Sequence, residues 1–304
     1  MMLIVAGLSA QEDKLNLAQQ IYKTNPEEAA VLIDSVIIHP LTKSDYVSWT
    51  VRAYVYYELF KKNDQRNKLN SPLRDSIISS IQISNSLGPD STFLLNNNRV
   101  LKNLALGYYK ISKYLLEDSL NYEGSFKAYM RYREFFSKVE PNYDTKEVEY
   151  NLAVGSVFSN IFNQDNNNTK AGEIAKVALL KVIELQPTNS SANLNLGLMY
   201  YNQAANLSKS LEFGADFSTI DIVQENMVKL AKQSAGFVET VYKNEPENIK
   251  VIEALYYIYR MLNDMQKFEE FKGKLKERNF KFEDPKPEES KKENESPDSP
   301  NKDK

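Results

Sequence analysis

The sequence predicts an all-α protein: a solenoid of about twelve helices, packed as antiparallel pairs. Three observations carry this. First, three stretches end alike: Phe136-Ser-Lys-Val-Glu-Pro141, Val182-Ile-Glu-Leu-Gln-Pro187 and Val241-Tyr-Lys-Asn-Glu-Pro246. Each stands between two amphipathic patterns, and the prolines fall 46 and 59 residues apart. Such an echo marks a helix-turn-helix unit reused with insertions, and a unit of this kind buries its apolar face only by stacking on a neighbour. Second, the chain of 304 residues holds only 10 glycines and 11 prolines, four of the prolines within the last 20 residues. A chain so poor in helix breakers is mostly helical. Third, apolar residues recur at helical spacing almost throughout, and no run shows the period of two that a strand needs.

The elements follow in order. Leu15, Ala18, Ile21 and Tyr22 give a helix over 12–23. Asn25-Pro26-Glu27-Glu28 starts the next, with Asn as cap, Pro in the first turn and acids at the positive end of the dipole. That helix runs to about Ile38. Val47, Val51, Tyr54, Val55 and Leu59 mark a third over 43–62, and Ser71-Pro72 opens a fourth that Gly88-Pro89-Asp90 closes. Further helices read at about 94–116, 122–138, 145–163, 168–185, 189–207, 218–243, 247–262 and 265–277. Short polar connectors make neighbouring helices antiparallel. Two breaks interrupt the rhythm. Asn163-Gln-Asp-Asn-Asn-Asn168 reads as a surface loop, and 207–221 lengthens a helix pair or forms a flap that packs through Phe213 and Phe217.

Composition removes several function classes. With 38 basic and 41 acidic residues the net charge is -3, which disfavours a dedicated nucleic-acid binder. The absence of cysteine excludes disulfides, thiolate zinc sites and a Cys nucleophile. The one histidine, His39, stands before Pro40 at the end of an apolar helix, where the dipole favours it and no metal set can form. The first ten residues end in Gly7-Leu-Ser-Ala10, a small-residue cleavage pattern after an apolar stretch. They are read as the remnant of a signal peptide, the alternative being a buried N-terminal strand. Export to the periplasm follows from the first reading, cytoplasmic residence from the second. With no Cys at the cleavage point, the usual bacterial lipid attachment is excluded, and no later segment is apolar enough to span a membrane. Residues 11–278 form the helical domain. The last stretch, 279–304, is a charged Pro/Lys/Glu tail which, from Glu283 onward, has no apolar residue with which to offset the entropy of ordering.

Leu196-Gly197-x-x-Tyr200 on one helix, and Ala175, Leu179, Val182 and Pro187 on the helix before it, resemble the tetratricopeptide repeat. Ser234, Val238, Val241 and Pro246 repeat the second half of that pattern, and looser copies stand at Trp49/Ala53/Tyr56, Ala105/Tyr108 and Gly155/Phe158. The resemblance covers about 12–278, with units longer than the family's roughly 34 residues. It implies a right-handed superhelical solenoid whose small residues, Ala53, Ala105, Ala175 and Gly197, sit where helices approach most closely. Gly197→Leu is therefore expected to overpack the contact, and Gly197→Ala to be mild.

No catalytic constellation is present: no phosphate loop, no dinucleotide turn, no HExxH and no Ser-His-Asp set. The chain reads as a non-enzyme that needs no cofactor or metal. The doubled tyrosines Tyr56-Tyr57, Tyr108-Tyr109 and Tyr200-Tyr201 are its better functional candidates. The second of each pair lies about 100° around the helix from the first. The resemblance places Tyr57, Tyr109 and Tyr201 on the concave groove, with Tyr54 and Tyr257 at another groove position and Lys110, Asn202 and Arg260 beside them. These rings either line that groove or plug gaps between repeats. Lining it, they suit an extended protein or peptide partner, since rigid amphipathic rings give contact area at low entropy cost. The alternative is a carbohydrate- or small-ligand-binding protein whose tyrosines stack on sugar rings.

Overall fold

A computed structural model describes residues 2–63, 68–140, 144–211 and 214–282. Among these the chain forms twelve α-helices and no strand. They are α1 (Met2–Ile21), α2 (Pro26–Ile37), α3 (Tyr46–Asn63), α4 (Pro72–Ser86), α5 (Ser91–Glu117) and α6 (Tyr122–Val139). The second half comprises α7 (Asp144–Gln164), α8 (Thr169–Leu185), α9 (Ser190–Lys209), α10 (Phe217–Asn244), α11 (Ile249–Met261) and α12 (Met265–Glu277). The helix starts are written locally. Asn25 Oδ1 accepts from the backbone N–H of Glu28 and Ser71 Oγ from that of Arg74, each with proline in the first turn. Asp90, Asn121, Asn168, Asn189, Asp216, Asn248 and Asp264 cap later helices in the same way, each satisfying donors that the helix itself leaves unpaired.

Residues 2–10 continue α1 without a break, so the strand alternative for this stretch does not hold. Pro141, Phe213 and the tail from Glu283 lie outside the described residues. Just before that tail, Phe280 and Phe282 pack against one another, and the Phe282 ring lies 5.5 Å from that of Tyr256. Packing against the helices therefore continues to Phe282, in irregular chain beyond the end of α12. His39 sits in the turn after α2 and its Nδ1 accepts from the Leu41 N–H, as a loop histidine should.

Each odd helix pairs with the even helix after it, giving six hairpins (α1/α2 to α11/α12). Consecutive odd helices also touch one another from α1 to α11, whereas the even helices make no comparable contact among themselves. The result is a solenoid with an unbroken layer of odd helices and clefts between the even ones. Ala53, Ala105 and Ala175 are fully buried at helix crossings, where a small side chain allows close approach.

One junction differs. Even helices α2, α4, α8 and α10 each pack on the next odd helix, but α6 and α7 make no such close contact. Large rings fill the space instead. Tyr129 and Tyr150 stack with centroids 3.9 Å apart, Tyr132 packs 5.1 Å from Tyr109 and 4.9 Å from Phe136, and Tyr122 meets Phe158 edge-on at 5.2 Å. Burial lifts the phenol pKa of Tyr132 and Tyr150 to about 12, and that of Tyr109 and Tyr129 further still. An unfolded tyrosine loses its proton near its ordinary value of 10.0. Between that pH and the raised folded values the unfolded chain therefore binds fewer protons, and stability falls as pH rises. Stability should accordingly hold between neutral pH and about pH 10 and decline steeply above it, in a titration followed by circular dichroism and tyrosine absorbance. Unfolding in step with free-phenol ionisation, with no delayed ionisation, would show that these rings are solvated.

Candidate functional site

The continuous layer of odd helices carries a row of side chains that meet across helix boundaries. At its N-terminal end Tyr54 on α3 is half-buried, its ring 6.4 Å from that of Tyr22 in the turn after α1. Its hydroxyl is shielded from solvent and has no hydrogen-bond partner. Desolvation, then the neighbouring Tyr22, raise its pKa, and the Arg99 charge on α5 opposes them. Tyr57 lies along the same helix, stacked on Phe60 at 6.4 Å with the Lys61 ammonium 5.2 Å from its ring centre.

In the middle of the row Tyr109 on α5 is buried, only 8 % exposed. Its ring packs on Tyr132 and its hydroxyl donates to Glu149 on α7 at 3.0 Å. Burial, then that bond, hold its pKa well above the ordinary value. Burial opposes ionisation of Glu149, but hydrogen bonds from Lys146 and Tyr109 win and hold its carboxyl below the usual range. Lys110 is exposed beside Tyr109 and forms no ion pair among the described residues. Between α7 and α9, Asn202 Nδ2 donates to Asn163 Oδ1 at 3.0 Å and Asn195 Nδ2 to Ser156 Oγ at 3.2 Å. Two neutral side-chain pairs thus bridge these helices on the odd layer.

Toward the C-terminal end Tyr201 on α9 is half-buried and shares its surroundings with Tyr257 and Arg260 of α11. Desolvation, then Tyr257, raise the Tyr201 pKa, while Arg260 lowers it. The Tyr257 ring is also held edge-on by Tyr256 at 4.9 Å. Of the residues singled out from the sequence, Tyr201, Tyr257 and Arg260 come together, Asn202 lies on the same layer, and Tyr54 forms a second cluster. Tyr109 is a ring in the α5/α6/α7 core with only its hydroxyl edge at the layer, and Tyr57 packs locally. Sequence reasoning missed Tyr22, Arg99, Glu149 and Asn163. A search for polar residues on successive odd helices facing the predicted positions would have found the last two.

No protein-family model and no curated protein matches the chain. Among solved structures the chain matches one described as the crystal structure of PilW, a widely conserved type IV pilus biogenesis factor. The two share 16 % identity at a TM-score of 0.30, over 88 % of this chain and 93 % of that one. The architecture described above rests on the chain's own helices and not on this likeness.

Proposed function

We propose that the chain is a non-enzymatic interaction scaffold that binds an extended protein or peptide segment along its odd-helix layer, and that it acts after export, in the cell envelope. The observation that carries the binding reading is the cluster of Tyr201, Tyr257 and Arg260. These side chains come from two hairpins, lie near enough for Tyr257 and Arg260 to act electrostatically on Tyr201, and belong to a layer that runs unbroken from α1 to α11. Tyrosine and arginine are among the residue types enriched at the hot spots of protein interfaces. The Asn202/Asn163 pair adds neutral donors and acceptors of the kind that match a peptide backbone. The export reading is supported by Gly7-Leu-Ser-Ala10 after an apolar stretch. No helix among the described residues is long and apolar enough to cross a membrane.

Selection of phage-displayed linear peptides on the full-length protein tests the binding reading. Peptides are expected that lose at least tenfold in affinity for the Tyr201→Ala/Tyr257→Ala/Arg260→Ala variant, each true hot spot costing about 2 kcal/mol or more. A selection that yields no binder, or binders indifferent to this variant, would overturn it.

A further inference from the structure

Because the even helices do not touch, clefts open between them, and one is lined unlike the rest. It lies between the N-terminal half of α8 and α10, with the C-terminal half of α9 as its floor, and encloses about 590 Å³. That is within the roughly 300–1,000 Å³ usual for small-ligand clefts. Its apolar base is Phe162, Met199, Tyr200 and Leu230. The Phe162 ring lies so close to Gly172 that a Cβ there would stand 2.9 Å from it. Tyr200 is fixed by stacking on Phe237 at 5.9 Å with an interplanar angle of 6°.

Above this base stand five neutral polar side chains: Asn166, Asn167, Thr169, Gln203 and Asn206. None of them spends its side chain on a hydrogen bond to another described residue, in contrast to the amides of the odd layer, which pair with one another. Asn166 is the sharpest case. Its Oδ1 is shut off from solvent with no donor within reach, an arrangement that costs free energy unless a donor arrives. An orphan acceptor calls for an O–H or N–H, not for a phosphate or carboxylate oxygen. The charged residues of the cleft, Glu173 and Lys176, balance each other, so no net field selects an ion.

We infer that this cleft is a binding site for a neutral saccharide, its ring laid on the apolar base and its hydroxyls bonded by the five unspent side chains. Amides both donate and accept, as vicinal hydroxyls require, and an apolar base takes the C–H face of a sugar ring. On α9, Tyr201 points away from Gln203 and Asn206 by nearly half a turn, so this site is separate from the odd-helix layer and does not rest on the function proposed above.

Titration of ¹⁵N-labelled full-length protein with neutral di- and trisaccharides of glucose, galactose and N-acetylglucosamine, and with sialylated counterparts as the acidic arm, tests it. A neutral saccharide is expected to shift the amide resonances of 166–169 and 203–207, and to bind no more weakly than its acidic counterpart. Gln203→Ala/Asn206→Ala should weaken binding about tenfold through two lost neutral hydrogen bonds, with the melting temperature kept because alanine favours the helix. Should no neutral sugar move those resonances, should the acidic arm bind more tightly, or should the double variant keep its affinity, the assignment is overturned.

Discussion

Tyr132→Ala is expected to destabilise the protein by about 3–5 kcal/mol, whereas Tyr132→Phe should leave stability unchanged or slightly raised. Tyr132 is fully buried, with its ring 5.1 Å from Tyr109, 5.9 Å from Tyr129 and 4.9 Å from Phe136. Removing the ring opens a cavity at the one junction where an even helix, α6, meets the next odd helix, α7, through side chains and not through close backbone packing. The neighbours that would have to collapse into that cavity are stiff aromatic rings, so relaxation recovers little. The hydroxyl behaves in the opposite way. It is buried without a hydrogen-bond partner, so it contributes desolvation cost and no bond. Tyr129 carries the same unpartnered hydroxyl, whereas Tyr150 shares a hydrogen bond with Ser125 at 3.2 Å. Phenylalanine should therefore be tolerated at 129 and 132 and cost about 1 kcal/mol at 150. Urea denaturation of the four variants reads all of this. A Tyr132→Phe loss as large as that of Ala would mean that the hydroxyl has a partner and that the packing account of this junction is wrong.

The helices were legible because their signals are local. Asn25-Pro26 and Ser71-Pro72 announce helix starts within three residues, and the caps are observed where those residues stand, whereas Asp90, read only as part of the break that closes α4, also caps α5. The small residues were legible for a related reason: Ala53, Ala105 and Gly197 recur three places before an aromatic, and close crossings tolerate little else. The fate of each tyrosine doublet was not legible. Tyr109 and Tyr201 occupy equivalent positions in their helices, yet Tyr109 is drawn into the core by the α6/α7 gap and Tyr201 is left at the surface layer. That gap is a property of how hairpins stack, and nothing in a single helix encodes it. The amide run 163–168 shows a different limit. As sequence it looks like any polar loop, and only coordinates reveal that Asn166 and Asn167 face a cleft with their hydrogen bonds unspent. The apolar residues 2–10 are equally ambiguous, since one composition serves a signal segment, a strand or the first turns of α1.

Gly197→Leu should cost at least the 1–3 kcal/mol usual for overpacking, and the structure revises the milder expectation for Gly197→Ala. A Cβ at 197 would lie 2.5 Å from Val238 Cγ2 and 3.3 Å from the backbone oxygen of Ser234. Val238 is fully buried and β-branched, so its methyl has no free rotamer into which to retreat. The Ser234 hydroxyl also donates to the Gly197 carbonyl at 2.7 Å, which pins α9 and α10 at this distance. Alanine must either push the helices apart, straining that bond, or force Val238 off its rotamer. Either route outweighs the gain of about 1 kcal/mol that alanine brings to a helix interior. Gly155 on α7 is the same device one hairpin earlier, with a Cβ meeting Leu179 Cδ2 at 2.5 Å. Gly236 on α10 is the control, because nothing lies within 4 Å of a Cβ there. Gly236→Ala should stabilise by up to about 1 kcal/mol, Gly197→Ala should destabilise by about 1–3 kcal/mol, and Gly197→Leu by more. Thermal denaturation of the three variants side by side settles the order. If Gly197→Ala stabilises as much as Gly236→Ala, α9 and α10 are further apart than described, and the helix crossing on which the repeat is built must be redrawn.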